Sequence, residues 1–165
     1  MKTLVVYYSE TGTTRKAARA IAKALKADVE EITGAPKGVW GKIKSAMAAA
    51  PAERSASAGG ARDPSEYDLV IIGTPSRNAS LSAPVRRYLV SHARHMGRVA
   101  FFCTRTGTGA PRLFRQMETL AEQPPIAVLE LRDADMMPGK MDPKLEIFAY
   151  ALERVAPISV RPHAA

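Results

Sequence analysis

Five short apolar runs, separated by stretches of helical period, leave few architectures open to this sequence. The runs cover residues 3–8, 28–32, 69–73, 99–103 and 126–131, and most are continuously apolar rather than alternating in polarity. A strand of that kind is buried on both faces, which is the pattern of a parallel sheet covered by helices on each side. The helical stretches fall between the runs, so the chain reads as successive strand–helix–strand units. At 165 residues there is room for one such domain, with no internal repeat and no second domain boundary.

Four helices are expected. Residues 13–26 place Ala17, Ile21 and Leu25 on one face and Arg15, Arg19, Lys23 and Lys26 on another. The next opens with Ser82 as N-cap and Pro84 close behind, burying Val85, Tyr88 and Leu89 while Arg86 and Arg87 face out. A third starts near Pro111 and aligns Leu113, Phe114, Met117 and Leu120. The last takes Asp142 as N-cap, followed by Pro143, Leu145, Phe148, Ala149 and Leu152. The segment 33–67 is the irregular one: a short helical piece at 40–50 is followed by a Pro-, Ser-, Ala- and Gly-rich stretch, the composition of a mobile or lid-like connection.

Several function classes are disfavoured early. The single Cys103 cannot pair within the chain, no stretch approaches the roughly 18 apolar residues that span a bilayer, and the apolar part of the N-terminus is short for a signal peptide; the expected location is cytoplasmic, without membrane association. Lys plus Arg number 24 against 16 Asp plus Glu, a net charge of +8. That charge suits nucleic acid, an anionic membrane or an acidic protein partner and does not choose among them, but without aromatic interleaving or a nucleic-acid-binding motif nucleic acid is not indicated. The basic stripe on the first helix is read as solvated surface. Gly107-Thr108-Gly109 lacks the third glycine of a dinucleotide fingerprint, and Gly41-Lys42 lacks the Ser or Thr of a P-loop. His92 and His95 have no Cys or carboxylate beside them and suit a helix C-terminus, so no metal is expected. Cys103 is read as a buried, inert thiol.

In an open parallel sheet, ligands sit beyond the carboxyl ends of the strands. After the first run comes Ser9-Glu10-Thr11-Gly12-Thr13-Thr14, leading straight into a helix. Hydroxyls and free backbone amides at a helix N-terminus make an anion site, and glycine lets the backbone approach. The alternative is simple N-capping, which needs one hydroxyl rather than four. Glu10 is expected to point to solvent, away from a bound dianion.

These residues resemble the flavodoxin family, whose phosphate loop runs Ser/Thr-x-Thr-Gly-x-Thr and is matched by Ser9, Thr11, Gly12 and Thr14. Gly73-Thr74-Pro75 and Ala83-Pro84-Val85 are similar to the family's third-strand end and following helix start. Thr104-Arg105-Thr106-Gly107-Thr108-Gly109 resembles its Gly-rich loop beside the flavin. The resemblance covers nearly the whole chain, weakening over 33–67. It implies a flavodoxin-like three-layer α/β/α sandwich with a five-stranded parallel sheet in the order 2-1-3-4-5, binding FMN non-covalently. The implied phosphate contacts are Ser9, Glu10, Thr11, Gly12, Thr13 and Thr14. The implied flavin contacts are Thr74, Pro75, Ser76, Arg77, Asn78 and Ala79 on one side, and Thr104, Arg105, Thr106, Gly107 and Gly109 on the other.

The chain departs from the family twice. Neither flavin loop carries an aromatic residue, so the usual ring platforms are missing; Arg77 could stack in their place or remain a solvated loop residue, and Trp40 is either a lid or a packing anchor. The positive net charge departs from the acidic surface of carrier flavodoxins. The implied function is therefore electron transfer or FMN-dependent reduction of a quinone by NAD(P)H, with an exposed Arg105 or Arg112 meeting an anionic substrate. The redox partners are NAD(P)H, a quinone or an acidic protein. The alternative is a flavodoxin-like domain that binds flavin weakly or not at all and acts as a binding or regulatory module.

Overall fold

A computed structural model describes residues 1–33, 62–77, 79–105 and 107–154. The helical piece expected at 40–50, Trp40 and most of the irregular segment lie outside the described residues, as do Asn78 and Thr106.

The strands are β1 (Thr3–Tyr7), β2 (Asp28–Glu31), β3 (Leu69–Arg77), β4 (Ser80–Leu81), β5 (Arg98–Arg105) and β6 (Val128–Arg132). The helices are α1 (Thr13–Leu25), α2 (Ala83–His92), α3 (Ala110–Ala121) and α4 (Asp142–Glu153). Five strands pair in parallel in the order β2-β1-β3-β5-β6, and β4 pairs antiparallel with the end of β3. Without the short β4 this is the expected 2-1-3-4-5 order of a flavodoxin-like α/β fold.

Side-chain alternation along the strands divides the core into two layers. Leu4, Val6, Val70, Ile72, Val99, Phe101 and Cys103 face α2 and α3, meeting Val85, Leu89, Leu113 and Met117. Val5, Tyr7, Leu69, Ile71, Ala100 and Phe102 face the other way, against Ala17, Ala18 and Ile21 of α1 and Leu145, Phe148 and Leu152 of α4. In the middle of β3, Gly73 makes room for a neighbour: a Cβ there would lie 2.0 Å from the Phe102 ring.

Three sequence expectations are corrected. The runs at 28–32 and 126–131 are not fully buried, because β2 and β6 are the edge strands: β2 is half-buried throughout and β6 alternates. The segment 74–82, read as a loop, is a hairpin, since β3 continues to Arg77 and Ser80–Leu81 folds back with Ser76 opposite Leu81. Its turn holds Ala79 at φ 57, a left-handed conformation uncommon outside glycine. Asp142 is not the N-cap of α4; Met141 holds that position, and Asp142 stands in the first turn, where its charge complements the helix dipole. Ser82 does occupy the N-cap position of α2, but its hydroxyl pairs with Thr74 Oγ1 at 3.0 Å instead of capping a backbone amide.

No described helix is long and apolar enough to cross a membrane.

Candidate functional site

The chain leaves β1 toward β2 on one side and later returns to place β3 on the other side of β1. A crevice opens at such a reversal, outside the carboxyl ends of the strands. Here a cleft is lined by Glu10, Thr11, Thr13 and Thr14 from the β1–α1 loop, Pro75 and Ser76 from β3, Thr104 and Arg105 from β5, and Asp133 just after β6.

Gly12 sits at φ 94 as the N-cap of α1 and bears no capping side chain. Ser9 Oγ reaches over instead, accepting from the amides of Gly12 at 3.1 Å and Arg15 at 3.3 Å. One hydroxyl therefore does the capping, and the others have different tasks. Thr11 and Thr13 pair through their hydroxyls at 3.3 Å on the cleft wall. Thr14 is buried, and its hydroxyl bonds Thr104 Oγ1 at 2.7 Å, fastening the first turn of α1 to the end of β5. The first-turn amides of any α-helix lack intrahelical partners, so the loop presents hydroxyls and amides together to the cleft. Glu10 is solvent-exposed and lines the cleft.

Arg15 is not part of a solvated stripe. Its guanidinium makes two bonds to Glu31, 3.0 Å from Nε and 2.6 Å from Nη2, and Tyr7 OH donates to the same carboxylate at 3.0 Å. Burial and the Glu31 charge push the Tyr7 phenol up to about 12. This cluster ties the base of the loop to β2.

Arg105, expected to be exposed, is buried: its side chain is 6% exposed and forms an ion pair with Glu130. Glu130 also accepts from Arg132 Nε at 2.9 Å. Burial opposes ionisation of Glu130, but the hydrogen bonds from Arg132 and Arg105 outweigh it and hold the carboxyl below its usual range. Nε and Nη1 of Arg105 are buried with no hydrogen-bond partner among the described residues. Arg105 also lines a neighbouring cleft with Gly107, Thr108, Arg132, Asp133 and Ala134.

The remaining residues of the sequence-derived set fall around this centre. Thr74 is fully buried and holds the hairpin through Ser82 and the Pro75 carbonyl. Ala79 stands against Gly109: a Cβ on Gly109, which has φ 108, would lie 2.5 Å from Ala79 Cβ. Gly107 lies in the adjacent cleft rather than the main one. Arg77 is described only as backbone at the hairpin end, where it pairs with Ser80. Asn78 and Thr106 fall outside the described residues. Asp133, Glu130 and Arg132 were not anticipated. The rule that directs attention beyond strand ends applies equally to the fifth strand, and Glu130 stands out as an acid inside an otherwise apolar run. Arg112 is exposed on α3.

Two other groups are accounted for structurally. Cys103 is fully buried, and burial, then the Glu130 charge, push its thiol up to about 12 against the opposing effect of Arg105. His92 stacks on Tyr88 with ring centroids 4.3 Å apart and bonds the Tyr88 carbonyl through Nδ1 at 2.9 Å.

The fold and cleft define a doubly wound parallel α/β protein with a hydroxyl-rich loop at its topological switch point. The family model described as Flavodoxin matches residues 2–146, and the chain belongs to that family. Solved structures show the same architecture. A flavoprotein from Lactobacillus acidophilus NCFM in complex with FMN is 23% identical with a TM-score of 0.62, covering 90% of this chain and 98% of that one. Oxidised flavodoxin 2 from Bacillus cereus is 16% identical with a TM-score of 0.60 over 93% and 98%. The two-electron reduced Megasphaera elsdenii flavodoxin is 16% identical with a TM-score of 0.59 over 90% and 96%. No curated protein matches the sequence.

Proposed function

We propose that this protein binds FMN non-covalently in the cleft at the ends of β1, β3 and β5 and works as a redox protein. The observation that carries the reading is the loop Ser9 to Thr14, in which Thr11, Thr13 and Thr14 line one cleft and a left-handed Gly12 between them begins α1. A Cβ built at Gly12 meets nothing within 4 Å, so a phosphate group can come close to the backbone there. The family's FMN chemistry fits this donor set: of the paired Thr11 and Thr13 hydroxyls one keeps its proton to donate, and the first-turn amides of α1 that Ser9 does not cap add further donors.

Bound flavin supplies reversible electron and hydride transfer. The protein's own contribution is to hold and orient. Thr11, Thr13 and the α1 amides take the phosphate end. Pro75, Ser76 and Thr104, projecting from the strand ends, form the wall along which the rest of the cofactor lies. The Thr14–Thr104 bond keeps those two walls in register. The net charge of +8 favours an acidic protein or an anionic small molecule as electron donor or acceptor, with NAD(P)H and quinones the first candidates. With one cysteine, buried, the chain suits the reducing cytoplasm.

The test is titration of the apo-protein with FMN, following flavin fluorescence and visible absorption, with riboflavin as control. Saturable binding below about 1 µM, near −8 kcal/mol, is the expected result, followed by NAD(P)H oxidation assays with quinone acceptors. Absence of binding at about 1 mM, near −4 kcal/mol, overturns the reading and assigns the fold to a flavin-free binding or regulatory role.

A further inference from the structure

Arg105 is costly as it stands. A buried guanidinium is stable where its five N–H donors find acceptors, and an unpaired buried donor loses its hydration without compensation. Arg105 has one ion-pair partner, Glu130, which it shares with Arg132, and two of its nitrogens have no partner among the described residues. Two guanidinium groups thus share the Glu130 carboxylate, with Asp135 acting on Arg132 as well. A residue serving only to pack the sheet edge would carry no such surplus of donors and charge.

Its position explains the surplus. Arg105 is among the residues lining the same cleft as the hydroxyl loop at the start of α1, with most of its side chain buried behind that lining. That loop itself contributes no positive side chain to the cleft: Arg15 is turned to Glu31, and Lys16 Nζ bonds the Met136 carbonyl at 2.8 Å. The other charged groups lining the cleft are Glu10 and Asp133, both of which oppose an anion. Arg105, nearly desolvated, is screened far less than those exposed carboxylates, and its charge acts more strongly on a bound group.

We propose that Arg105, which lines the cleft and pairs with Glu130, is the charge-bearing binding residue for a phosphate monoester there, its guanidinium turning out of its buried position so that the unpaired Nε and Nη1 complete a site that the hydroxyl loop begins. The inference rests on the FMN reading for the identity of the natural ligand, but the chemistry it assigns is recognition of the phosphate dianion. Glu130 is a positioning residue: it fixes the guanidinium from the β6 side and leaves the remaining donors for the ligand.

The experiment compares the ratio of FMN to riboflavin affinity in the wild type, Arg105→Gln, Arg105→Lys and the double variant Arg105→Gln/Glu130→Gln. The double variant removes both charges together, so that the partly exposed Glu130 carboxylate is not left with Arg132 as its one remaining partner. Thermal melts report on folding. Charge-assisted hydrogen bonds of this type lead to an expected loss of about tenfold or more in FMN affinity for Arg105→Gln and the double variant, with riboflavin affinity unchanged and Arg105→Lys intermediate. Equal losses for both flavins, or no loss for either, overturn the proposal. Should the wild type bind neither flavin, the FMN reading fails separately. Inorganic phosphate then tests Arg105 alone: chemical-shift changes in the 9–14 amides that saturate in the wild type and vanish in the double variant support it, and their absence in the wild type overturns it.

Discussion

The β1–α1 and β5–α3 loops are built alike and behave differently. Each follows a buried strand, carries threonine and ends in a glycine N-cap in the left-handed region, Gly12 at φ 94 and Gly109 at φ 108. Around Gly12 there is open space, whereas Gly109 is pressed against Ala79 of the β3–β4 turn. The same backbone device thus serves two ends: at Gly12 it leaves a helix start in open space, and at Gly109 it lets two connections pack together.

The difference predicts unequal costs for the same substitution. Gly109→Ala combines a left-handed backbone, about 1–2 kcal/mol, with overpacking against Ala79, about 1–3 kcal/mol. A total near 3 kcal/mol lowers the melting temperature of a domain this size by roughly 6–12 °C. Ala79→Gly, which relieves a residue at φ 57 and removes the opposing methyl, should recover the packing part. A double-mutant cycle in denaturant would show a coupling of about 1–2 kcal/mol. Additive effects would mean that the two loops do not touch in solution.

What could be read beforehand follows from how local each feature is. The three central strands announce themselves because burial on both faces leaves an unbroken apolar run, while β2 and β6, at the edges, mix acids into theirs. The hydroxyl loop is legible for the same reason: its residues are consecutive. The hairpin is not, since Thr74-Pro75-Ser76-Arg77 has neither apolar alternation nor a glycine turn, and its strand character comes from pairing with Thr104 and Arg105 on β5. The Arg105–Glu130 pair also depends on the register of two strands, in which Cys103 faces Glu130, and no short-range pattern encodes that register. Chain-local chemistry was visible, and chemistry made by strand pairing was not.

Thr14 sharpens the comparison because it joins the two loops. Thr14→Val leaves the buried Thr104 hydroxyl without its 2.7 Å partner, at an expected cost of about 2 kcal/mol. Replacing both residues by Val removes both polar groups and should restore most of the loss, which chemical denaturation would measure. If the single and double variants are equally unstable, the bond is not what fastens α1 to β5.

Gly12→Ala is the smaller counterpart of the Gly109 change. No atom lies within 4 Å of the added methyl, so only the backbone conformation resists it. The expected cost is about 1 kcal/mol, roughly 2–4 °C in melting temperature. A loss matching that of Gly109→Ala would show that the open space at Gly12 is filled in solution.

Acid should separate the two ends of the cleft by the smallest margin. Near the β5 and β6 ends, Glu130 is held below its usual range as described, and Asp135 is lowered by the Lys144 ammonium at 2.7 Å and the Arg132 amide at 2.7 Å against the effect of burial. Carboxyls with depressed folded values bind fewer protons in the native state than in the unfolded one. Their stabilising contribution is therefore complete above the ordinary carboxylate range, roughly pH 4–4.5, and is lost as pH falls through the lower native values. The turn of the Ser9–Thr14 loop is held by Ser9 hydroxyl and backbone bonds that do not titrate there, and the Arg15–Glu31 pair acts only at its base. Amide exchange followed from pH 6 to pH 3 should show residues 128–136 opening before 9–14, and simultaneous opening would mean that Glu130 and Asp135 do not control that end.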